Sequence, residues 1–219
     1  SHSIPFTMEA DSLNCAILGQ SVRPDDEEFS IFIKEVVREM TGKAGQKCTA
    51  IRRVIVPEET IDAVIDALSA RLAKVTQGDP ALENVRLVAL VSADPAADVQ
   101  EKDAELMTEA ERVFGGDDVA YLEGLDSNAG AFYPATLLRC NSPMTAEKIH
   151  SVEAFGPVAT VMPYSHLGEA VEIARMGKGS LVGSVYTHDE GEARTIILGA
   201  APWHGRMLVL NRDCAKEST

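Results

Sequence analysis

Amphipathic helical patterns alternate with short β-rich segments along this chain of 219 residues. Apolar residues at helical spacing predict helices over 25–41 and 58–74, separated by a short strand at 54–57. A helix over 94–110 and a loop over 115–131 follow. The remaining chain predicts strands at 135–139, 158–162, 181–187 and 206–210, with helices at 167–176 and 190–200. This alternation favours a single α/β layered domain, residues 1–219, with a largely parallel sheet.

Composition excludes several classes of function. The net charge of −14 disfavours nucleic acid as a partner, and no apolar run approaches the roughly 18 residues needed to span a membrane. The cysteines lack the spacing of a zinc site or a redox pair, so reduced thiols in a cytoplasmic protein are expected. The histidines lack helical metal-ligand spacing, so no metal site is predicted and they are assigned to surface or cap positions.

Cys48 is the strongest candidate for a reactive residue. Small and polar neighbours surround it, whereas Cys15, Cys140 and Cys214 are expected to be structural or incidental. Positive charge nearby lowers the pKa of a thiol, and the window 42–53 contains four bases and no acid: Lys43, Lys47, Arg52 and Arg53. These bases either favour the thiolate, attract an anionic substrate such as a coenzyme A thioester, or are simply solvated; on charge alone solvation is favoured.

Two further segments carry candidate functional groups. Glu9 lies among apolar residues, and burial would raise its pKa towards the range of a general base; Asp11 is the rival carboxylate. Glu153 and Phe155 precede a Gly-Pro turn. A carboxylate can accept hydrogen bonds from ribose hydroxyls and an aromatic ring can flank a nicotinamide, although an ordinary loop with a buried phenylalanine explains the same pattern.

Taken together, three segments resemble the aldehyde dehydrogenase superfamily. They are IPFTMEADSLN (4–14), KAGQKCTAIRR (43–53) and EAFGPV (153–158), and the likeness continues to GRMLVLN (205–211). Most members of the superfamily carry two glycines after the base glutamate. Here Ala10 and Asp11 replace them, and this departure, with the closing AKEST (215–219), resembles the ring-opening subfamily of phenylacetate degradation.

The resemblance implies a fold, a mechanism and a cofactor. The fold would be a three-layer αβα domain with a mostly parallel sheet. Cys48 would attack an aldehyde to form a thioester after hydride transfer, and Glu9 would activate the hydrolytic water. Glu153 and Phe155 would hold the ribose and ring of NADP or NAD, and the Cys48 backbone N–H would form part of an oxyanion hole. The substrate would be a CoA-linked semialdehyde.

The same resemblance predicts an excised catalytic domain. The family's main dinucleotide-binding domain precedes the base glutamate, so this chain is expected to fold without turning over aldehyde alone, and the parent protein to form a homo-oligomer. Two other hypotheses about the function of this chain remain open. One is a cysteine hydrolase or acyltransferase with a histidine beside Cys48, and the other is a scaffold domain whose cysteine is incidental.

Overall fold

A computed structural model describes residues 11–116, 121–126 and 130–214. The described residues form one seven-stranded sheet with the strand order β3-β4-β5-β2-β1-β6-β7. Every neighbouring pair is parallel except the β3–β4 pair at one edge. The strands are β1 (Cys15–Leu18), β2 (Arg53–Pro57), β3 (Glu111–Phe114), β4 (Thr136–Arg139), β5 (Val158–Tyr164), β6 (Ser180–Tyr186) and β7 (His204–Leu210).

The described residues contain five helices. They are α1 (Glu27–Thr41), α2 (Ile61–Leu72), α3 (Ala93–Leu106), α4 (Leu167–Arg175) and α5 (Glu190–Ala200). Helices α1 and α2 pack against each other on one face, and α4 and α5 pack together on the other. The central strands β1, β2 and β5 are largely apolar and almost wholly buried, as expected for parallel strands covered on both faces. No helix among the described residues is long and apolar enough to cross a membrane.

The predicted layered fold with a mostly parallel sheet is confirmed, and most elements fall within a few residues of their predicted bounds. The predicted helix over 58–74 begins as a 3₁₀ turn at Glu58–Thr60 before α2. The predicted helix over 94–110 ends earlier, at Leu106, and Glu111–Phe114 then forms an unpredicted edge strand. This strand carries two charged residues in four, so its sequence lacks the apolar pattern of the central strands.

Two residues predicted to be solvent-facing are in the core. The guanidinium of Arg53 is fully buried and donates hydrogen bonds to the carbonyl oxygens of Leu13, Ile173 and Ala174. His150, 5% exposed, lies beside it, with 3.2 Å between Arg53 Nη1 and His150 Nδ1. The surface assignment was therefore wrong for His150, because the Pro143 carbonyl oxygen and the distant Arg53 guanidinium supply the partners that burial requires.

His150 makes the stability of the domain sensitive to acid. Burial lowers its pKa to about 4, below the value of 6.5 expected when the chain is unfolded. Nδ1 accepts from Arg53, so Nε2 carries the proton donated to the Pro143 carbonyl oxygen 2.9 Å away. As the pH falls below 6.5, the unfolded state takes up a proton first, so stability is lost progressively down to pH 4.

We expect the free energy of unfolding to fall by about 2 kcal/mol between pH 7 and pH 4.5 through this group. Urea titrations across that range should show a smaller loss for His150→Gln than for the wild type. His166→Gln, which changes an exposed cap residue of α4, serves as the control. Equal pH dependence in wild type and His150→Gln would show that His150 does not titrate in this way.

Candidate active site

The described candidate residues meet at the amino ends of the parallel strands. Arg53 on β2 is the register partner of Thr160 on β5. Cys48 lies five residues before Arg53, and Phe155 lies five residues before Thr160. Two neighbouring strands thus bring the nucleophile loop and the Glu153–Phe155 segment to the same edge of the sheet, although they are far apart in sequence.

The loop that carries Cys48 begins with an unusual backbone turn. Lys43, Ala44 and Gly45 have φ values of 53°, 55° and 70°, three consecutive residues in the left-handed region. This conformation costs about 1–2 kcal/mol for each residue with a side chain, so surrounding contacts must hold it. The backbone of Gly45 approaches that of Gly156 so closely that a Cβ atom at position 45 would clash with the Gly156 carbonyl oxygen. Only glycine fits at this position.

Arg52 supplies those contacts. Its guanidinium donates to the carbonyl oxygen of Gly45 at 2.8 Å and to that of Gly156 at 2.7 Å. Its Nε donates to Glu153 Oε1 at 3.1 Å, and its Cζ lies 5.5 Å from the ring centroid of Phe155. One side chain, only 4% exposed, therefore ties the nucleophile loop to the Glu153–Phe155 segment.

Asn14 fixes the other end of the loop. Its side-chain Nδ2 donates to the carbonyl oxygens of Cys48 at 2.8 Å and Ala50 at 2.9 Å. Its Oδ1 accepts from the Ser12 hydroxyl and from the backbone N–H of Val182, both at 2.9 Å. All four hydrogen-bonding positions of this buried amide are used. The sequence analysis missed Asn14; the signal was a polar amide within an apolar strand, which needs partners once buried.

The four bases near Cys48 are not a solvated cluster. Arg52 and Arg53 are 4% and 1% exposed and are held by carbonyl oxygens. Lys47 pairs with Glu39 on α1 at 2.6 Å, and Lys43 is exposed. The favoured expectation that all four are solvated was therefore wrong for Arg52 and Arg53, whose charge organises the backbone of the loop.

Cys48 differs from the other three cysteines in exposure. It is exposed, whereas Cys15 and Cys140 are buried and burial raises the pKa of both thiols. Cys214 has intermediate exposure. Thiol access at neutral pH is therefore greatest at Cys48, the residue selected from the sequence.

The backbone N–H of Cys48 is the second feature of the loop with a possible use in catalysis. Among the described residues it has no hydrogen-bond partner, so it is available to an oxyanion formed at the thiol. The histidine that a cysteine hydrolase would need does not contact Cys48 in the described part of the chain. Instead, His204 Nε2 lies 3.4 Å from the buried Cys15 Sγ.

Glu153 and Phe155 have the chemistry expected of a nucleotide contact. Glu153, 6% exposed, accepts from Arg52 through Oε1 and from the Ser12 backbone N–H through Oε2, at 2.9 Å for the latter. Each carboxylate oxygen can accept more than one hydrogen bond, so capacity for ribose hydroxyls remains. The Phe155 ring is 38% exposed at the same edge of the sheet. Glu9, the predicted base, lies outside the described residues.

This constellation of an exposed cysteine, a pinned loop and a Glu-x-Phe segment agrees with the family comparison. The model of the aldehyde dehydrogenase family matches residues 5–201. The chain is also 46% identical over 209 residues to the 3,4-dehydroadipyl-CoA semialdehyde dehydrogenase of Aromatoleum evansii, covering 95% of this chain and 41% of that protein. The chain belongs to the aldehyde dehydrogenase family, a family of NAD(P)-dependent enzymes.

Other similar proteins include one more relative in sequence and a solved structure with the same fold. Protein MaoC of Klebsiella aerogenes is 45% identical over 132 residues, covering 60% of this chain and 38% of that protein. Betaine aldehyde dehydrogenase of Staphylococcus aureus, solved with NAD⁺, superposes with a TM-score of 0.78 at 22% identity, covering 92% of this chain and 39% of that chain. The chain therefore spans about two fifths of the length of the proteins it matches.

Proposed function

We propose that this chain is the nucleophile-bearing catalytic domain of an NAD(P)-dependent enzyme that oxidises a CoA-linked semialdehyde to the acid. The observation that carries the proposal is the exposed Cys48 on a loop held by Arg52 and Asn14 beside Glu153 and Phe155. A nucleophile held in a fixed orientation reacts faster than one free to move, because its entropy has already been lost.

Cys48 performs the covalent chemistry. Its thiolate adds to the aldehyde carbon, forming a C–S bond and placing negative charge on the former carbonyl oxygen. The Cys48 backbone N–H donates to that oxygen. Glu153 and Phe155 would hold a nicotinamide cofactor, which would supply the hydride acceptor. The resulting thioester on Cys48 is hydrolysed by water that Glu9 deprotonates, which releases the acid and restores the thiol.

The substrate class is inferred from a relative that matches almost the whole of this chain. That protein is named for a CoA semialdehyde, and it matches 95% of this chain at 46% identity. We extend the inference to a semialdehyde released by ring cleavage in aerobic aromatic catabolism, specifically phenylacetate degradation, with NADP as the preferred cofactor. We place the enzyme in the cytoplasm as a homo-oligomer.

We also propose that turnover requires a dinucleotide-binding domain in addition to the residues described. The matched proteins are more than twice as long as this chain, which supports a division of dinucleotide binding and covalent catalysis between two domains. The isolated chain should then fold, and alkylation of Cys48 should proceed, without NADPH formation. Robust aldehyde oxidation by the isolated chain would refute this division.

The substrate proposal is tested by following NADPH formation in a protein that joins this chain to its dinucleotide-binding domain. We expect kcat/KM for a CoA-linked semialdehyde to exceed that for a simple aldehyde of equal chain length by about 100-fold or more, since the CoA portion adds binding energy that the simple aldehyde lacks. The free acid of the same semialdehyde, without CoA, is the matched control. Equal kcat/KM values would contradict a CoA-linked substrate.

A further inference from the structure

A basic groove lies between α1 and α2, and neither Asn14 nor Arg52, which hold the Cys48 loop, lines it. It encloses about 620 Å³, within the range of small-molecule sites. Its floor is largely apolar and its rim is basic, formed by Lys34, Arg38, Arg71, Lys74 and Arg86. No Asp or Glu is found among the described residues that line it. Five of the chain's 20 basic residues therefore surround one groove in a protein of net charge −14.

The charges on this rim are largely uncompensated. Arg38 is the exception, because it pairs with Glu35 and, at 3.6 Å, with Glu39. Among the described residues no carboxylate forms an ion pair with the other four cations, and Lys34, Arg71 and Lys74 are exposed. Four cations that line one groove without a lining carboxylate make the groove suited to a ligand with several negative charges.

The apolar floor restricts the ligand further. Ile33, Val37 and Val75 line it together with the small side chains of Ala67 and Ala70. Small side chains in the floor leave room for a flat group, and the aliphatic stems of Lys and Arg extend its apolar surface. A purely inorganic anion would not use this floor, whereas a nucleotide places a planar base on it and its phosphates at the rim.

The groove opens towards the catalytic edge of the sheet. Helices α1 and α2 each follow a parallel strand and run back, so both end at the edge where the strands begin. Lys34 and Thr41 line the groove seven residues apart, about 10 Å along α1. The next residues form the turn that leads to Cys48. A ligand in the groove therefore has one end beside the nucleophile loop.

We propose that this groove binds the phosphorylated adenosine end of coenzyme A, with the adenine on the apolar floor and the phosphates at Lys34, Arg71, Lys74 and Arg86. The pantetheine arm then extends past Thr41 towards Cys48. This inference rests on the proposed function, since it assigns a binding site to the CoA portion of that substrate.

Direct binding of CoA to this chain tests the proposal without requiring turnover. The triple variant Lys34→Gln, Arg71→Gln and Lys74→Gln should raise the Kd for CoA, measured by calorimetry, by about tenfold or more. A matched triple variant, Lys102→Gln, Lys178→Gln and Arg194→Gln, changes the net charge equally outside the groove and should leave the Kd within about twofold. Ala70→Trp, which fills the groove without changing charge, should also weaken binding. Dephospho-CoA should bind more weakly than CoA.

Several outcomes would overturn the site. They are no measurable CoA binding by the wild type, equal loss in the matched control, CoA binding unaffected by Ala70→Trp, or displacement of CoA by NADP at similar concentration. The last would assign the groove to the dinucleotide. Failure of the proposed function is distinguishable, because the protein would then bind CoA in the groove without oxidising any aldehyde. If the groove proposal alone fails, the triple groove variant should bind CoA and oxidise the CoA-linked semialdehyde as the wild type does.

Discussion

Replacing Cys48 with alanine is expected to lower kcat for aldehyde oxidation by about 10⁴-fold or more in a protein that contains this chain and the proposed dinucleotide-binding domain. Loss of a catalytic nucleophile has effects of this size, because no covalent intermediate can form. The backbone of the loop should persist, since Arg52 and Asn14 hold it through main-chain carbonyl oxygens and not through the thiol. The free energy of unfolding should therefore change little.

The matched control is Cys140→Ala, which removes a buried thiol that has no role in the proposed reaction. The Cys140→Ala protein should have a lower free energy of unfolding, because the substitution creates a cavity. Its kcat, measured while the protein is folded, should equal that of the wild type. Stopped-flow measurement of the first turnover separates chemistry from product release. Wild-type rates in Cys48→Ala, with folding confirmed, would favour the scaffold reading over a catalytic role.

Replacing Arg52 with glutamine is expected to destabilise the domain by about 3–5 kcal/mol, the cost typical of removing one partner from a buried ion pair. The change leaves the Glu153 carboxylate without its cationic partner at 6% exposure and frees the carbonyl oxygens of Gly45 and Gly156. The left-handed turn at Lys43–Gly45 then loses the contact that holds it. Urea unfolding with a fixed m-value measures the effect.

Two further variants test whether loss of the Arg52 contacts causes the destabilisation. Arg194→Gln, on the exposed surface of α5, should cost less than about 0.5 kcal/mol. The double variant Arg52→Gln with Glu153→Gln should be less destabilised than Arg52→Gln alone, because it removes the unpaired buried charge as well. A cost for Arg52→Gln as small as that of the surface control would contradict its role in joining the two segments.

The sequence predicted those features that arise from local patterns. Phe29, Ile33, Val36, Val37 and Met40 recur at helical spacing, and α1 buries all of them against the sheet. The parallel sheet followed from the alternation of such helices with short apolar strands. The edge strand β3 was missed because exposed edge strands tolerate charged residues and lack a continuous apolar run.

The candidate site was predicted as a set of residues but not as a structure. Cys48 and the Glu153–Phe155 segment were selected from short motifs, and the sheet register brings them to one edge. Arg52 and Asn14 were not given their roles because their partners lie up to 168 residues away, in segments whose approach depends on the completed fold. A buried arginine and a solvated one have the same local sequence, and only the tertiary carbonyl groups distinguish them.

The most direct test of the account is to map the acyl group formed during the reaction. Brief exposure of the Glu9→Gln protein, joined to its dinucleotide-binding domain, to NADP and a CoA-linked semialdehyde should slow hydrolysis and let the thioester accumulate. Peptide mass spectrometry should then find the acyl mass on the peptide that contains Cys48, and no such adduct in the protein that also carries Cys48→Ala. An acyl group on a different cysteine, or steady NADPH formation by Cys48→Ala, would contradict the central claim that Cys48 is the nucleophile.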